Sequence, residues 1–518
     1  MSKIIRDLVH GYIEIDDKIE MLINTRHFQR LRYIKQLTCQ QLFPSANHTR
    51  FEHSLGVYFL SIHCMNRLES CVYKYLGDKC KFDQLKQNLA VAALFHDIGH
   101  APLSHLGERY FNKKEILSNI KEIVKNWNFD FTIFSEHGAK HELMSCYILL
   151  KYYPIVLKNL YGSQYANFDF ELMCRMIVGA PYTRTNDNKD YNWLNNIGIT
   201  ILNSDTLDMD RLDYLLRDTY MTGLPVSPVD THRLFKNMYI TEEDKIIGYK
   251  KQTISVIQNI IDARDTFYMY VVNHHIPVYT DFLYEFFIKH MILRYEKGLA
   301  GGLDPKKYFS CNAVGEALVT DNDLHSALKT YINADLSDDY ANYKTTLVPQ
   351  IYERKFLKPL WKNLYEYKLF VDKYMKDIEI RVKVENYMQD DDPIYRQDVA
   401  TKILTKLGDR GKTGDVFIVP RKNKTYSQVK DKAPFKIDVN IGDETTVESK
   451  TIEDLLPQKD SSDYFGDTTY YVFAREDIKD DVKTIFLDIA ENDLQDKCTI
   501  DKRTFEGDIN WLKDDTNF

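Results

Sequence analysis

The chain of 518 residues is 44% hydrophobic and 28% charged, with 21 Gly and 14 Pro. That is the composition of a folded globular protein, and it excludes disordered, collagenous and low-complexity classes. Its 68 basic against 76 acidic residues leave a net charge of −8. Such a balance offers no global electrostatic footprint for nucleic acid or for a membrane surface, so any anion site has to be local. The eight cysteines form no C-x-x-C pair, and the start lacks the apolar core of a secretory signal, so a cytoplasmic protein in a reducing compartment is expected. No apolar run approaches the roughly 18 residues that a membrane helix needs.

In chain order, apolar residues recur at helical spacing from about residue 17 to about 300, which predicts a mainly α body. The segment Lys297–Pro305 is a turn-rich break without the ending of a phosphate-binding glycine loop. Helices are expected again to about residue 408. Beyond it, Asp415–Pro420, the alternating Phe435, Ile437, Val439 and Ile441, and Thr468–Ala474 read as strands of a small C-terminal α/β lobe. The expected division is 1–300, 301–408 and 409–518. Tyr182–Asn196 reads as a polar loop.

The chemistry concentrates in the first part. A helix over Lys81–His96 places Leu85, Leu89, Ala92 and Ala93 on one face, with His96 on the same face. A lone inward histidine is more often a hydrogen-bonded core residue than a ligand. Here Asp97 follows directly, and Gly99 and Pro102 break the helix, bringing His100 and His105 onto a bend at the same place. A second helix carries His53 in a stripe with Val57, Leu60 and Cys64, so His53 also faces inward. A third, Asp205–Asp218, aligns Asp210, Tyr214 and Asp218, while Asp213 and Arg217 read as an ordinary surface pair. Two histidines and two carboxylates from three inward faces make a mixed N/O donor set suited to a divalent metal with open positions.

The series His53, His96-Asp97 and Asp210 resembles the H…HD…D signature of the HD-domain metal-dependent phosphohydrolases. Arg26–Leu37, Thr49–Val57, Phe95–His105, the His141-Glu142 pair and Leu207–Asp218 narrow the resemblance to the deoxynucleoside triphosphate triphosphohydrolase branch. It is strong over about residues 3–220, weaker to about 300 and architectural afterwards. It implies an HD-domain helical core in 1–300, a helical extension and the C-terminal lobe. The implied metal ligands are His53, His96, Asp97 and Asp210, holding Fe, Mn, Mg or Zn. The implied catalytic residues are His100, His105, Glu108 and His141, with His105 as general acid and Glu108 orienting His100. The implied reaction is attack of water on the α-phosphate of a dNTP, giving a deoxynucleoside and inorganic triphosphate.

By the same resemblance Gln36 and Leu37 pack on the sugar, Tyr214 and Asp218 contact its 3′-hydroxyl, and Arg50, Arg211 and Arg264 bind the triphosphate. Lys3, Asn24, Gln29 and Arg32 map to an activating-nucleotide site. The vertebrate member with a sterile-alpha-motif domain has an acidic residue where this chain has Asn24. It has a tyrosine and a lysine where Val272 and His275 align, and a lysine at Arg211. These departures argue against copying its guanine-gated activation. A homo-oligomer, tetramer or dimer, is implied by resemblance alone. The alternatives are an HD phosphohydrolase acting on a mono- or cyclic nucleotide, and a nucleotide- or single-stranded nucleic-acid-binding module. The net charge and the lack of interleaved basic and aromatic residues disfavour nucleic acid as the main partner.

Overall fold

The computed structural model of the chain describes residues 3–183, 192–204, 207–242, 244–334, 341–389, 393–421, 437–438 and 470–493. It opens with a hairpin of β1 (Lys3–Asp7) and β2 (Gly11–Ile15), with Lys3 opposite Ile15 and Asp7 opposite Gly11. The Asp7 carboxylate accepts from the amides of Val9 at 2.9 Å and His10 at 2.8 Å, and Gly11 closes the turn at φ 79°. An aspartate folding back on its own backbone and a residue with positive φ are what a tight reversal requires. This hairpin is absent from the helical reading of the sequence.

Helices then dominate, as expected. They are α1 (Asp17–Ile23), α2 (Arg26–Arg30), α3 (Arg50–Leu76), α4 (Lys79–Phe95), α5 (Lys113–Val124), α6 (Ile133–Glu136), α7 (Lys140–Tyr161), α8 (Phe170–Val178), α9 (Asn192–Leu202) and α10 (Met209–Thr222). A two-stranded pairing of β3 (Met238–Ile240) with β4 (Ile247–Lys250) precedes α12 (Ile254–Phe267) and α13 (His275–Glu296), with the short α11 (Thr231–Lys236) before it. Of the polar loop Tyr182–Asn196, residues 184–191 lie outside the described residues, and Asn192–Asn196 already belong to α9.

The core forms where α3 packs against α4, α9 and α10, with α8 on the far side of α4. Glu52 starts α3 by accepting the Thr49 amide at 2.9 Å, and Gly77 ends it at φ 64°. The stripe His53, Val57, Leu60 and Cys64 is buried as read. In α4 burial is wider than one face, because Asn88 to Phe95 are all buried. α10 begins later than the sequence suggests: Asp208 caps it by accepting the Arg211 amide at 2.7 Å, which makes Met209 its first residue. Residues 205–206 lie outside the described residues.

Two of the three expected C-terminal strands share a sheet. Val416–Pro420 and Tyr470–Ala474 pair antiparallel, with Lys358–Pro359 on the other edge. This sheet sits on α13 through Phe417 against Phe282 (ring centroids 5.0 Å apart) and Phe473 against Tyr279 (4.2 Å). Of Phe435–Ile441 only 437–438 are described, and they pair in parallel with β4 in a different sheet. Among the described residues no helix is long and apolar enough to cross a membrane.

One close approach fixes α3 against α10. A Cβ at Gly56 would lie 1.8 Å from Oδ1 of Asp213 and 2.4 Å from Nη2 of Arg217. Gly56→Ala is therefore expected to lower unfolding free energy by about 2 to 5 kcal/mol, the cost of overpacking together with a displaced buried ion pair. Urea unfolding measures it, and a midpoint equal to wild type would contradict this packing.

Candidate active site

The first turn of α3, the C-terminal end of α4 and the first turn of α10 meet at one buried point. His53 is 0% exposed, His96 6% and Asp97 2%. Their ligand atoms lie within 4.8 Å of one another, a grouping able to hold a metal ion. Nε2 of His53 is 3.3 Å from Nε2 of His96, 3.0 Å from Oδ1 of Asp210 and 3.6 Å from Oδ2 of Asp97. Asp210 Oδ1 is also 3.8 Å from His96 Nε2. The structure thus brings together all four residues of the expected donor set.

The other ring nitrogens are occupied. His96 donates from Nδ1 to the Ala93 carbonyl at 2.8 Å, and His53 donates from Nδ1 to Oδ2 of Asp213 at 2.8 Å. Both rings are thereby oriented with Nε2 inward, the support that metal-ligating histidines ordinarily have. Two nitrogens 3.3 Å apart also match two ligands placed about 2.1 Å from one ion. The donor set fits a divalent cation. Burial opposes charge on His53, but the Asp210 and Asp213 carboxylates outweigh it and raise its pKa to about 10.

Asp213 and Arg217 correct the sequence reading, which put them on the surface. Asp213 is 0% exposed and Arg217 2%. Arg217 donates to Asp213 from Nε at 2.9 Å and from Nη2 at 3.0 Å, and from Nη1 to Oδ2 of Asp7 at 2.8 Å. Spacing of i and i+4 says that two residues pair, not which way the pair faces.

The second cluster lies on the bend after α4 and the first turn of α7. The His100 and His141 rings stack with centroids 4.1 Å apart, and His105 stands edge-on to both. Glu108 does not orient His100 as expected. Its carboxylate accepts from Nδ1 of His105 at 3.0 Å and from Nδ1 of His141. The reason is local: the 3-10 turn Ser104–Tyr110 places Glu108 three residues after His105 and under the start of α7. His100 instead approaches Asp97, Nε2 to Oδ1 3.1 Å. Burial, Arg50 and His141 hold the His100 pKa well below the ordinary imidazole value. For His141 burial works in the same direction, yet the Glu108 carboxylate prevails and raises it to about 9. One neutral ring thus lies flat against one charged ring.

The bend itself is strained. Leu103 and Ser104 both have left-handed backbones, at φ 60° and 52°, a conformation costly for residues with a Cβ. Asp321, more than 200 residues further along the chain than the bend, accepts from the Leu103 amide at 2.7 Å and the Lys35 amide at 2.9 Å. Ser104 donates to the Lys35 carbonyl at 2.6 Å. Arg30, 3% exposed, donates to the carbonyls of His100 at 2.7 Å and Val319 at 2.8 Å. None of these supports was read from sequence, because their partners are distant in the chain.

Of the expected substrate residues, Arg50 touches the donor set directly. Arg50, 4% exposed, donates to Oδ2 of Asp97 at 2.8 Å and to Ser104 Oγ at 3.1 Å. The Gln36 amide bonds the His48 carbonyl at 3.1 Å, so Gln36 and the half-buried Leu37 lie beside His48. His48 in turn donates from Nε2 to Oδ1 of Asp218 at 2.7 Å, and Asp218 is 2% exposed. Tyr214 stands one turn after Asp210, where Arg264 of α12 and Arg211 both act on it electrostatically. Of the residues mapped to an activator, Gln29 donates to the Ile23 carbonyl and accepts from Arg32, next to Asn24 at the end of α1. Lys3 pairs with Glu20 on the outer side of the hairpin.

Residues 50–153 match the family model described as the HD domain. Over that stretch the chain is similar to an HD domain. That span contains His53, His96, Asp97, His100, His105, Glu108 and His141; Asp210 and Asp213 come from outside it. The chain is 30% identical over 275 residues to an uncharacterized protein of Methanocaldococcus jannaschii, covering 52% of this chain and 46% of that protein. It is 27% identical over 289 residues to the deoxynucleoside triphosphate triphosphohydrolase SAMHD1 homolog of Dictyostelium discoideum, covering 54% and 48%. The chain spans about half the length of the curated relatives it matches. A phosphohydrolase structure from Bacteroides thetaiotaomicron shares the fold at a TM-score of 0.60 and 20% identity, over 91% of this chain and 99% of that one.

The Asp321 anchor gives a measurable expectation for the HD-domain bend. Asp321→Ala leaves the buried Leu103 amide without its acceptor, a loss of about 2 kcal/mol, or about 30-fold in local opening. Hydrogen exchange of the amides of residues 99–105 accelerates by that factor while α3 stays protected. Unchanged exchange in the bend would contradict the anchor.

Proposed function

We propose that this chain is a metal-dependent hydrolase that cleaves deoxynucleoside triphosphates to a deoxynucleoside and inorganic triphosphate. The observation that carries the reading is the contact between the two clusters: Asp97 of the donor set lies 3.1 Å from His100, which stacks on the His141 imidazolium. A bound divalent metal would supply Lewis acidity and lower the pKa of a bound water, chemistry suited to phosphoryl transfer.

The chain's own groups account for the remainder. In the reaction an oxygen of water bonds to the α-phosphorus, the bond from that phosphorus to the 5′-oxygen breaks, and the departing 5′-oxygen takes a proton. Glu108 holds Nδ1 of His105 and His141, so Nε2 is the atom each ring presents to substrate. His105, whose side chain is 65% exposed, is placed to give the proton to the departing oxygen. The charged His141 and the arginines Arg50, Arg211 and Arg264 meet the triphosphate charge on an otherwise acidic chain. The relation to proteins named deoxynucleoside triphosphate triphosphohydrolases supports this substrate class. Gln36, Leu37 and Tyr214 form the sugar side. A nucleotide activator, at the positions of Lys3, Asn24, Gln29 and Arg32, and homo-oligomerisation belong to the same reading by resemblance alone.

A second reading, hydrolysis of a different nucleotide, draws on Asp218: its carboxylate is engaged by His48 and nearly sealed from solvent, which leaves less of it for a sugar hydroxyl. Chromatography of products from each dNTP and NTP with Mn²⁺ separates the two. Triphosphate and deoxynucleoside from dNTPs support the first reading; turnover only of mono- or cyclic nucleotides supports the second. In the same assay Asp210→Ala is expected to lower turnover by about 100-fold or more with the fold retained, and full activity would contradict the donor set.

The charge on His141 sets a pH dependence. Its cation is present below pH about 9 and lost above it. The KM for a triphosphate substrate is expected to rise about 10-fold as the pH passes through that value, and His141→Gln is expected to abolish that step. A KM that stays flat across this range in the wild type would contradict the role.

A further inference from the structure

The hairpin at the start of the chain has no part in the chemistry above, yet its turn reaches the back of the donor set. His10 is buried at the side chain, 5% exposed, and packs on Phe59 of α3 with ring centroids 5.2 Å apart and the ring planes tilted by 34°. Its Nε2 lies 2.5 Å from Oδ1 of Asp213, whose Oδ2 receives the Nδ1 proton of His53. Asp7, at the other end of the turn, bonds Arg217 and folds back onto the His10 amide. A continuous line of buried hydrogen bonds therefore runs from the turn Asp7–Gly11 through Asp213 to His53.

We infer that His10 is a positioning residue for the metal centre: the hairpin clamps Asp213, and through it sets the ring orientation of His53 and the affinity for the divalent cation. Asp213 must aim one oxygen at His53 while its other oxygen is held from outside, and the outside donors are His10 from the hairpin and Arg217 from α10. Arg217 shares a helix with Asp213 and is itself tied to the hairpin through Asp7, whereas His10 reaches Asp213 from the hairpin directly. Only the hairpin ties Asp213 to a fixed external reference among these donors. Partners that orient a ligating histidine carry about 10- to 100-fold in metal affinity. Because Arg217 persists when His10 is lost, the lower end of that range is expected.

The inference rests on the metal-centre reading, and the experiment keeps the two apart. Mn²⁺ is titrated into metal-stripped full-length protein by calorimetry, for wild type, His10→Ala, His10→Gln and Asp7→Asn, with thermal unfolding of each metal-free protein alongside. His10→Ala is expected to weaken Mn²⁺ binding about 10-fold, and His10→Gln, which keeps an N–H donor of similar reach, to recover most of it. Asp7→Asn gives a smaller weakening. Should His10→Ala fail to fold, the comparison of Asp7→Asn with wild type still decides. Mn²⁺ affinity unchanged within twofold, accompanied only by a lower unfolding temperature, overturns the inference and leaves His10 a structural residue. Failure of the wild type to bind Mn²⁺ overturns the metal centre and this inference with it.

Discussion

Three carboxylates, Asp97, Asp210 and Asp213, crowd around His53, and two of the three are almost wholly removed from water. Each buried charge left unpaired costs several kcal/mol, so the surrounding fold has to bring counter-charges to them. Arg50 answers Asp97, and Arg217 answers Asp213, to which His10 adds a hydrogen bond. Burial alone would raise the carboxyl pKa values of Asp97 and Asp213, and these partners hold both well below the ordinary range. Gly56 gives the Asp213–Arg217 pair the room that any side chain on α3 would take. α3 is thus at once the source of His53 and Arg50 and the wall against which the carboxylates are neutralised.

The same electrostatics divide the pocket. On one side carboxylates and inward Nε2 atoms converge, an environment for a cation. On the other, His141 is held charged by Glu108 beside a neutral His100, an environment for an anion. Asp97 and His100, three residues apart, belong to one side each. A phosphate bridging the two sides would meet a cation at one edge and an imidazolium at the other, which is the placement that phosphoryl-transfer chemistry uses. The strained turn at Leu103 and Ser104 sits between them, and its anchors on Arg30 and Asp321 come from elements outside the HD domain itself.

Much of this was legible in the sequence. His53 and His96 fall on apolar helical stripes, Asp97 follows His96 directly, and Asp210 stands in a polar row one turn before Tyr214, so the meeting of these four side chains is readable from period and neighbours. What escaped reading was direction and distance. Asp213 with Arg217 has the spacing of a surface pair, and only the close approach permitted by Gly56 turns it inward. The family resemblance pairs Glu108 with His100, whereas the tightness of a 3-10 turn delivers it to His105 and His141. His10 carries no periodic signal because it lies in a five-residue turn, although Asp7 and Gly11 around it are ordinary turn residues. The short strand at Ile437–Asp438 pairs with β4, about 190 residues earlier, a partnership that local alternation does not encode.

In the proposed reaction water attacks the α-phosphorus and the triphosphate leaves whole. It is tested most directly by running the reaction with a dNTP and Mn²⁺ in water enriched in heavy oxygen and weighing both products by mass spectrometry. One heavy oxygen is expected in the inorganic triphosphate and none in the deoxynucleoside. Heavy oxygen in orthophosphate or pyrophosphate, with a nucleotide as the other product, would contradict it.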